Sequence, residues 1–372
     1  MEERKMILKM VEDGKITAEE GVKLLQALGN EQEGSTTVDS EPTPPKTKEV
    51  STSVNWDYEG NDNSSSQSAY HQSSGTSLFS SFIESAIQKI RDFDLDFNFG
   101  SFVEVNHIFQ HSNVSLSAVD ISVENGSITV VPWNEDDVRI ECNAKVYKAR
   151  DTEEARRILL QEAVFDSEGS TLRFYTKVKS IKLQTTCYLP QQQYERFKLY
   201  SFNGTLKGEN INAETFESKV VNGRITLADG TFSRLVSETV TGPIEVTNVK
   251  ASRAEAQTVN GAITLKGQLA DVDIETVNGT VTYETSETEN VSFAELRATT
   301  GSINIILPKG IRIDGKLKTN VGGFTCDLEN FEIIEEKKDF VQKSLGFVAN
   351  KDIQKGIKLH GTTNTGSITV KQ

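Results

Sequence analysis

The chain has 372 residues, 36% of them hydrophobic, and a net charge of −14. That acidity excludes binding nucleic acid through a general basic field. The low apolar fraction points to an unfolded stretch beside a folded one, and Cys142, Cys187 and Cys326 show neither metal spacing nor a paired disulfide framework.

Residues 1–29 read as a helical hairpin. Ile7, Leu8, Met10 and Val11 form one apolar stripe, Gly14 stops the first helix, and Thr17 with Glu20 forms a capping box for the second. Thirty residues bury little surface alone, so the hairpin is expected to work as an interaction module, through a partner or a second copy. Residues 30–77, rich in Ser, Thr, Gly, Asn and Gln with Pro42, Pro44 and Pro45, read as a disordered acidic tether. The N-terminus lacks the layout of a signal peptide, and no apolar run reaches the length of a membrane span. The expected compartment is therefore the cytoplasm by default, with membrane association or surface exposure by another route left open.

Residues 78–92 are strongly amphipathic. Leu78, Phe79, Phe82, Ile83, Ala86, Ile87 and Ile90 share one helical face. We read this helix as a cap over the open end of the β domain that follows. The alternative is a peripheral membrane helix or a partner contact made through Leu78, Phe79, Phe82, Ile83 and Ile87. Residues 100–200 form a β-rich subdomain with strands near 114–123, 127–131, 138–147, 171–177 and 180–189. A helix over about 152–163 is capped by Asp151. Asn125-Gly126 has the character of a hairpin turn and of an early copy of the motif below.

From 201 to 372 the chain repeats itself. Asn-Gly, Thr-Gly or a related pair ends at Gly204, Gly223, Gly242, Gly261, Gly279, Gly301, Gly322 and Gly366, at intervals of 19, 19, 19, 18, 22, 21 and 44. After most of these glycines two apolar residues alternate with polar ones. Such a period means stacked units that bury a core only together. The predicted fold is mainly β: a parallel β-solenoid-like stack of ~19-residue coils, or a flattened two-sheet version of it. Ile225, Ile244, Ile263, Val281 and Ile303 should form one interior column, and Leu227, Val246, Leu265, Tyr283 and Ile305 a second. The glycines are assigned to tight turns with positive φ, and the Asn or Thr beside them to a side-chain ladder. Residues 328–358 break the period and are expected to replace about one coil by a longer loop or helix, a place where repeat proteins often bind.

No catalytic constellation stands out. His107 and His111 lack a surrounding zinc motif. Asp271, Asp273 and Glu275 alternate on one strand without an evident basic partner, which reads as a solvated face rather than a glycosidase pair. The expectation is no enzyme, no metal and no cofactor. The Glu3-to-Leu28 hairpin, the low-complexity linker and the Val-Asn-Gly-x-Ile-x-Leu repeats together resemble the YvlB/LiaX-type proteins of Gram-positive bacteria, whose C-terminal part is a β-strand-repeat domain named for adhesins. The resemblance covers residues 2–28 and about 100–372. It implies a non-enzymatic scaffold or sensor-regulator of cell-envelope stress with a protein partner in or near the membrane. A surface adhesin or carbohydrate-binding solenoid is the alternative, ahead of a carbohydrate-active enzyme.

Overall fold

The computed structural model describes residues 75–91, 100–167, 169–289, 292–339 and 341–372, with side chains of the first helix described from Phe79 to Lys89. The hairpin expected over 1–29 and the linker up to residue 74 lie outside the described residues. The last three linker positions are helical, because the first helix, α1, runs Gly75–Arg91. Among the described residues, 22 strands join one hydrogen-bonded system, and a second helix, α2, spans Thr152–Glu162. The chain is mainly β.

Each repeat supplies a long strand before its glycine and a short strand after it, as in Asn212–Asn222 and Ile225–Ala228. Long strands pair in parallel with long strands and short with short, one repeat apart: Phe216 lies opposite Leu235, and Ile225 opposite Ile244. The result is a two-walled stack. Both interior columns form as expected, and Ile368 and Val370 extend them beyond Ile303 and Ile305. All of these side chains are buried. The asparagine ladder is present, with Asn222 Nδ2 donating to Asn203 Oδ1 at 3.2 Å and Asn278 to Asn260 at 3.0 Å. A second ladder runs inside it. Thr239, Thr258 and Thr276, three residues before their glycines, donate to the carbonyls of Gly223, Gly242 and Gly261 in the preceding coil. These hydroxyls satisfy carbonyls that the interior would otherwise leave unpaired.

Several expectations need correction. Positive φ holds at Gly223, Gly242, Gly301, Gly322 and Gly366 as expected, but close approach is the requirement shared by all eight repeat glycines. At Gly204, Gly261 and Gly279 no positive φ occurs, yet a Cβ on any of them would fall on the carbonyl oxygen of the neighbouring coil's glycine. Asn125-Gly126 makes no hairpin. Strand Ala118–Trp133 continues through it and turns from the long-strand wall to the short-strand wall at Gly126, as an early copy of the repeat motif, with Val119, Ile121 and Val123 before the corner and Ile128 and Val130 after it all buried. Its first half pairs with Gln193–Asn203 and its second with Leu206–Glu209, so residues 100–200 and the repeats share their sheets.

The last coils stack out of chain order. Strand Gly356–Thr365 sits between Phe293–Thr300 and Arg312–Val321, which places Gly366 on Gly301 and Gly322 on Gly366. Residues 328–358 hold an antiparallel hairpin, Phe331–Lys338 with Lys343–Ala349, rather than a loop or helix. Its second strand pairs with Arg312–Val321 and brings the Phe347 ring over Gly315.

Nor does α1 cap an end. That task falls to α2, whose Ala155 and Leu159 enter the main core. α2 packs on Phe102–His111, Val138–Tyr147 and Ala163–Asp166, and the first and last of these are edge strands of the two walls. Asp151 accepts from the Glu154 amide, while Glu154 accepts from the Arg150 amide and guanidinium, which completes its N-terminal cap. Of the cysteines, Cys142 and Cys187 are buried and Cys326 is half-buried, and all three are free.

Candidate functional site

The long strands alternate inward and outward, so their outward residues also form columns. Two residues before successive glycines stand Phe202, Val221, Val240 and Val259, an apolar stripe up the outside of the stack. α1 lies on it. Phe79, Phe82 and Ala86 are buried against Tyr200, Phe202 and Val221, with Ile83, Val240 and Val259 packed at the margin. Phe82 retains 4% of its surface and Phe79 7%. Burial of this size stabilises the docked helix by roughly 2 kcal/mol per phenylalanine. Lys89 fixes the direction of the helix. Its ammonium donates to Glu124 Oε1 at 2.8 Å and to the Tyr200 hydroxyl at 3.2 Å, and it lies 4.8 Å from the Tyr200 ring centre. Burial pushes the Tyr200 hydroxyl well above its ordinary pKa.

The structure thus brings Phe79, Phe82 and Ile83 onto the stack, while Ile87 stays 40% exposed. Leu78 belongs to α1, and its side chain lies outside the described ones. The two phenylalanines that a lipid-facing helix would use are occupied internally. The stripe was visible in the Val-x-Gly pairs of the sequence, where the valine was absorbed into the turn motif. Outward positions of a half-buried strand are ordinarily polar, and a run of valines there signals a covered face.

Farther along the same face, Asp273 and Glu275 find the basic partner that the sequence did not show. Arg297, one coil on, binds Asp273 at 2.8 Å, Glu275 at 3.0 Å and Glu295 at 2.8 Å. Three carboxylates share one guanidinium, so the cluster is ion-paired yet remains net negative. Burial raises the Asp273 carboxyl to about 6, against the opposing pull of Arg297. In the preceding coil Arg234 and Arg253 both hold Glu255.

The opposite corner of the coil repeats as well. Asn210, Asp229 and Asn248, six residues after successive glycines, adopt φ near +55°, a conformation that Asn and Asp tolerate better than most residues. A shallow open trough of about 340 Å³ lies there, lined by Asp229, Asn248, Lys250 and Gln268 among others. His107 turns inward, with its ring 4.5 Å from Phe109, and His111 contacts Ser167. Among the described residues no group of three His, Cys, Asp or Glu side chains is placed to hold a metal ion, and no helix is long and apolar enough to cross a membrane.

Comparison with known proteins adds the following. The Toastrack DUF4097 profile matches residues 116–370, and a SHOCT-like domain profile matches residues 2–33. The sequence is 34% identical to the uncharacterized protein YvlB of Bacillus subtilis over 371 residues, covering all of this chain and 98% of that one. A crystal structure of a "putative adhesin" from Parabacteroides distasonis aligns with 71% of this chain and 97% of its own, at 11% identity and a TM-score of 0.43.

Proposed function

We propose that this chain, which belongs to the Toastrack DUF4097 family, is a non-enzymatic scaffold or sensor-regulator associated with cell-envelope stress and acting through protein–protein contacts. The envelope assignment follows the likeness to the YvlB/LiaX-type proteins. The observation that carries the contact role is α1: an amphipathic helix held on a rigid β-stack by three buried side chains and one ammonium. Such a helix is a separable docking element, because the stack keeps its own core without it. The outward carboxylates, each tied to an arginine, support a structural rather than a hydrolytic use. The partner belongs to the cell envelope, and residues 1–29 and α1 are the segments that meet it.

The test compares cells producing the full chain as wild type or as Phe82→Asp, cross-linked with and without a cell-wall antibiotic. The reading expects one reproducible envelope protein cross-linked to the wild type, and a changed yield of that adduct in the variant. Identical adducts in both, unaffected by the antibiotic, would rule it out.

A further inference from the structure

We infer that the outward face of the short-strand wall, at its N-terminal end, binds an uncharged oligosaccharide. This goes beyond the scaffold reading and does not depend on it. The face is built by strands Phe102–His111, Val138–Tyr147, Ile181–Pro190 and the second half of Ala118–Trp133, hydrogen-bonded side by side. Outward-facing aromatic side chains are scarce on the described repeats, and on this face two of them meet. The Trp133 and Tyr188 rings lie 5.4 Å apart at 34°, both half-buried, and Trp133 is held by its indole N–H donating to the Asp137 carbonyl at 2.8 Å. A pair fixed in this way offers a ready apolar shelf for the C–H face of a sugar ring.

The polar groups that a sugar's hydroxyls require lie next to the shelf. Arg139 is the cross-strand neighbour of Tyr188 and is paired with Glu141 at 2.6 Å. One row beyond Glu141 runs a line of three amides over three adjacent strands: Asn106 opposite Asn143, and Asn143 opposite Gln184. Asn143 Nδ2 donates to Asn106 Oδ1 at 2.8 Å, which leaves the Asn106 amide N–H groups and the exposed Gln184 amide directed to solvent. Four residues of strand separate Tyr188 from Gln184, about 14 Å, so shelf and amides together suit a short oligomer rather than one ring.

Charge selects the class of ligand. On a chain of net charge −14, two of the cations here are compensated in place, Arg139 by Glu141 and Lys145 by Glu104, and a single exposed lysine, Lys182, lies one row beyond the amides opposite Lys145. A polyanion would meet the negative field of the whole molecule, and a cationic partner would be drawn to its acidic remainder. An uncharged polyol opposes neither, and planar amides that both donate and accept suit its hydroxyls.

The full chain is titrated calorimetrically with three soluble hexasaccharides: a β-1,4-glucan, a β-1,4-linked N-acetylglucosamine oligomer and a β-1,3-glucan. At least one is expected to bind. Tyr188→Ala and Gln184→Ala should each weaken that binding about tenfold, the size of one lost stacked or hydrogen-bonded contact. The melting temperature of the Gln184→Ala chain should not move, because that side chain is exposed. No binding to any of the three, or binding that survives both substitutions, overturns the assignment.

Discussion

Gly261 separates two explanations of the repeat. If the glycines serve only positive φ, alanine or asparagine should substitute at Gly261 at small cost, because its φ is not positive. If they serve close approach, any Cβ fails. At Gly261 no positive φ is present, and an added Cβ would meet the Gly242 carbonyl and the Pro243 nitrogen. To relieve that overlap the coils must part locally. Two hydrogen bonds hold the junction: the Gly242 amide to the Asn260 carbonyl at 2.8 Å, and Thr258 Oγ1 to the Gly242 carbonyl at 3.2 Å. Overpacking of a tight site costs about 1–3 kcal/mol, and the two bonds about 1 kcal/mol each when strained or lost. Gly261→Ala and Gly261→Asn should therefore both destabilise by about 3–5 kcal/mol. The control is Gly323→Ala, whose Cβ would meet nothing within 4 Å. That change should be neutral, or stabilising by a few tenths of a kcal/mol through the unfolded chain. Urea unfolding followed by circular dichroism reads all three midpoints. A Gly261→Asn midpoint close to wild type would refute the close-approach explanation.

The remaining predictions address the helix, the network and the order of the coils. Phe82→Asp should undock α1 while leaving the stack folded: limited proteolysis should cut within 75–91, and the main unfolding transition should stay in place. Asp273 carries a folded-state pKa raised from 3.8 to about 6, so the folded state takes up its proton more readily than the unfolded one. Its contribution therefore improves as pH falls from above 6 to below 4, with a ceiling of about 3 kcal/mol. The stability of wild type relative to Asp273→Asn should rise over that window in paired thermal melts, and a difference that falls on acidification would contradict the assignment. Ile368 lies on the last strand of the chain yet inside the stack, between Ile303–Ile306 and the terminal strand Phe324–Asp327. Ile368→Ala should cost about 2–5 kcal/mol, as an interior site does, and more than Phe324→Ala in the terminal coil, measured by equilibrium unfolding.

The two-walled stack was legible because its demands are local. An interior column needs an apolar residue at one phase of each coil, and Ile225, Ile244 and Ile263 declare that phase directly. The order of the last coils was not legible. Gly322 and Gly366 carry equivalent motifs, and either coil could follow Gly301 with its columns matched. What distinguishes them is the far side of each strand. Arg312–Val321 pairs with Gly356–Thr365 on one edge and with Lys343–Ala349 on the other, so the hairpin built from residues 328–358 needs that strand to be outermost. The chain must then return its final coil to the gap on the inner side. An interruption of the period, read as one coil lost, is in fact the terminal edge of the long-strand wall.

The same reasoning explains why the candidate sites were partly hidden. Phe79 and Phe82 were visible as an apolar helical face, but their seat was not, since Phe202, Val221, Val240 and Val259 align only once coils one repeat apart are stacked. Arg297 is 22 residues from Glu275 and 24 from Asp273, so no window of one strand could show the triad. Trp133 and Tyr188 come together across a strand pair whose sequence separation exceeds two repeats. In a stacked chain the interior is written along the sequence, one column position per repeat, whereas the outer faces are written across it. Side chains that meet a ligand on such a fold are accordingly neighbours in register before they are neighbours in sequence, and the informative comparison is between equal phases of successive coils.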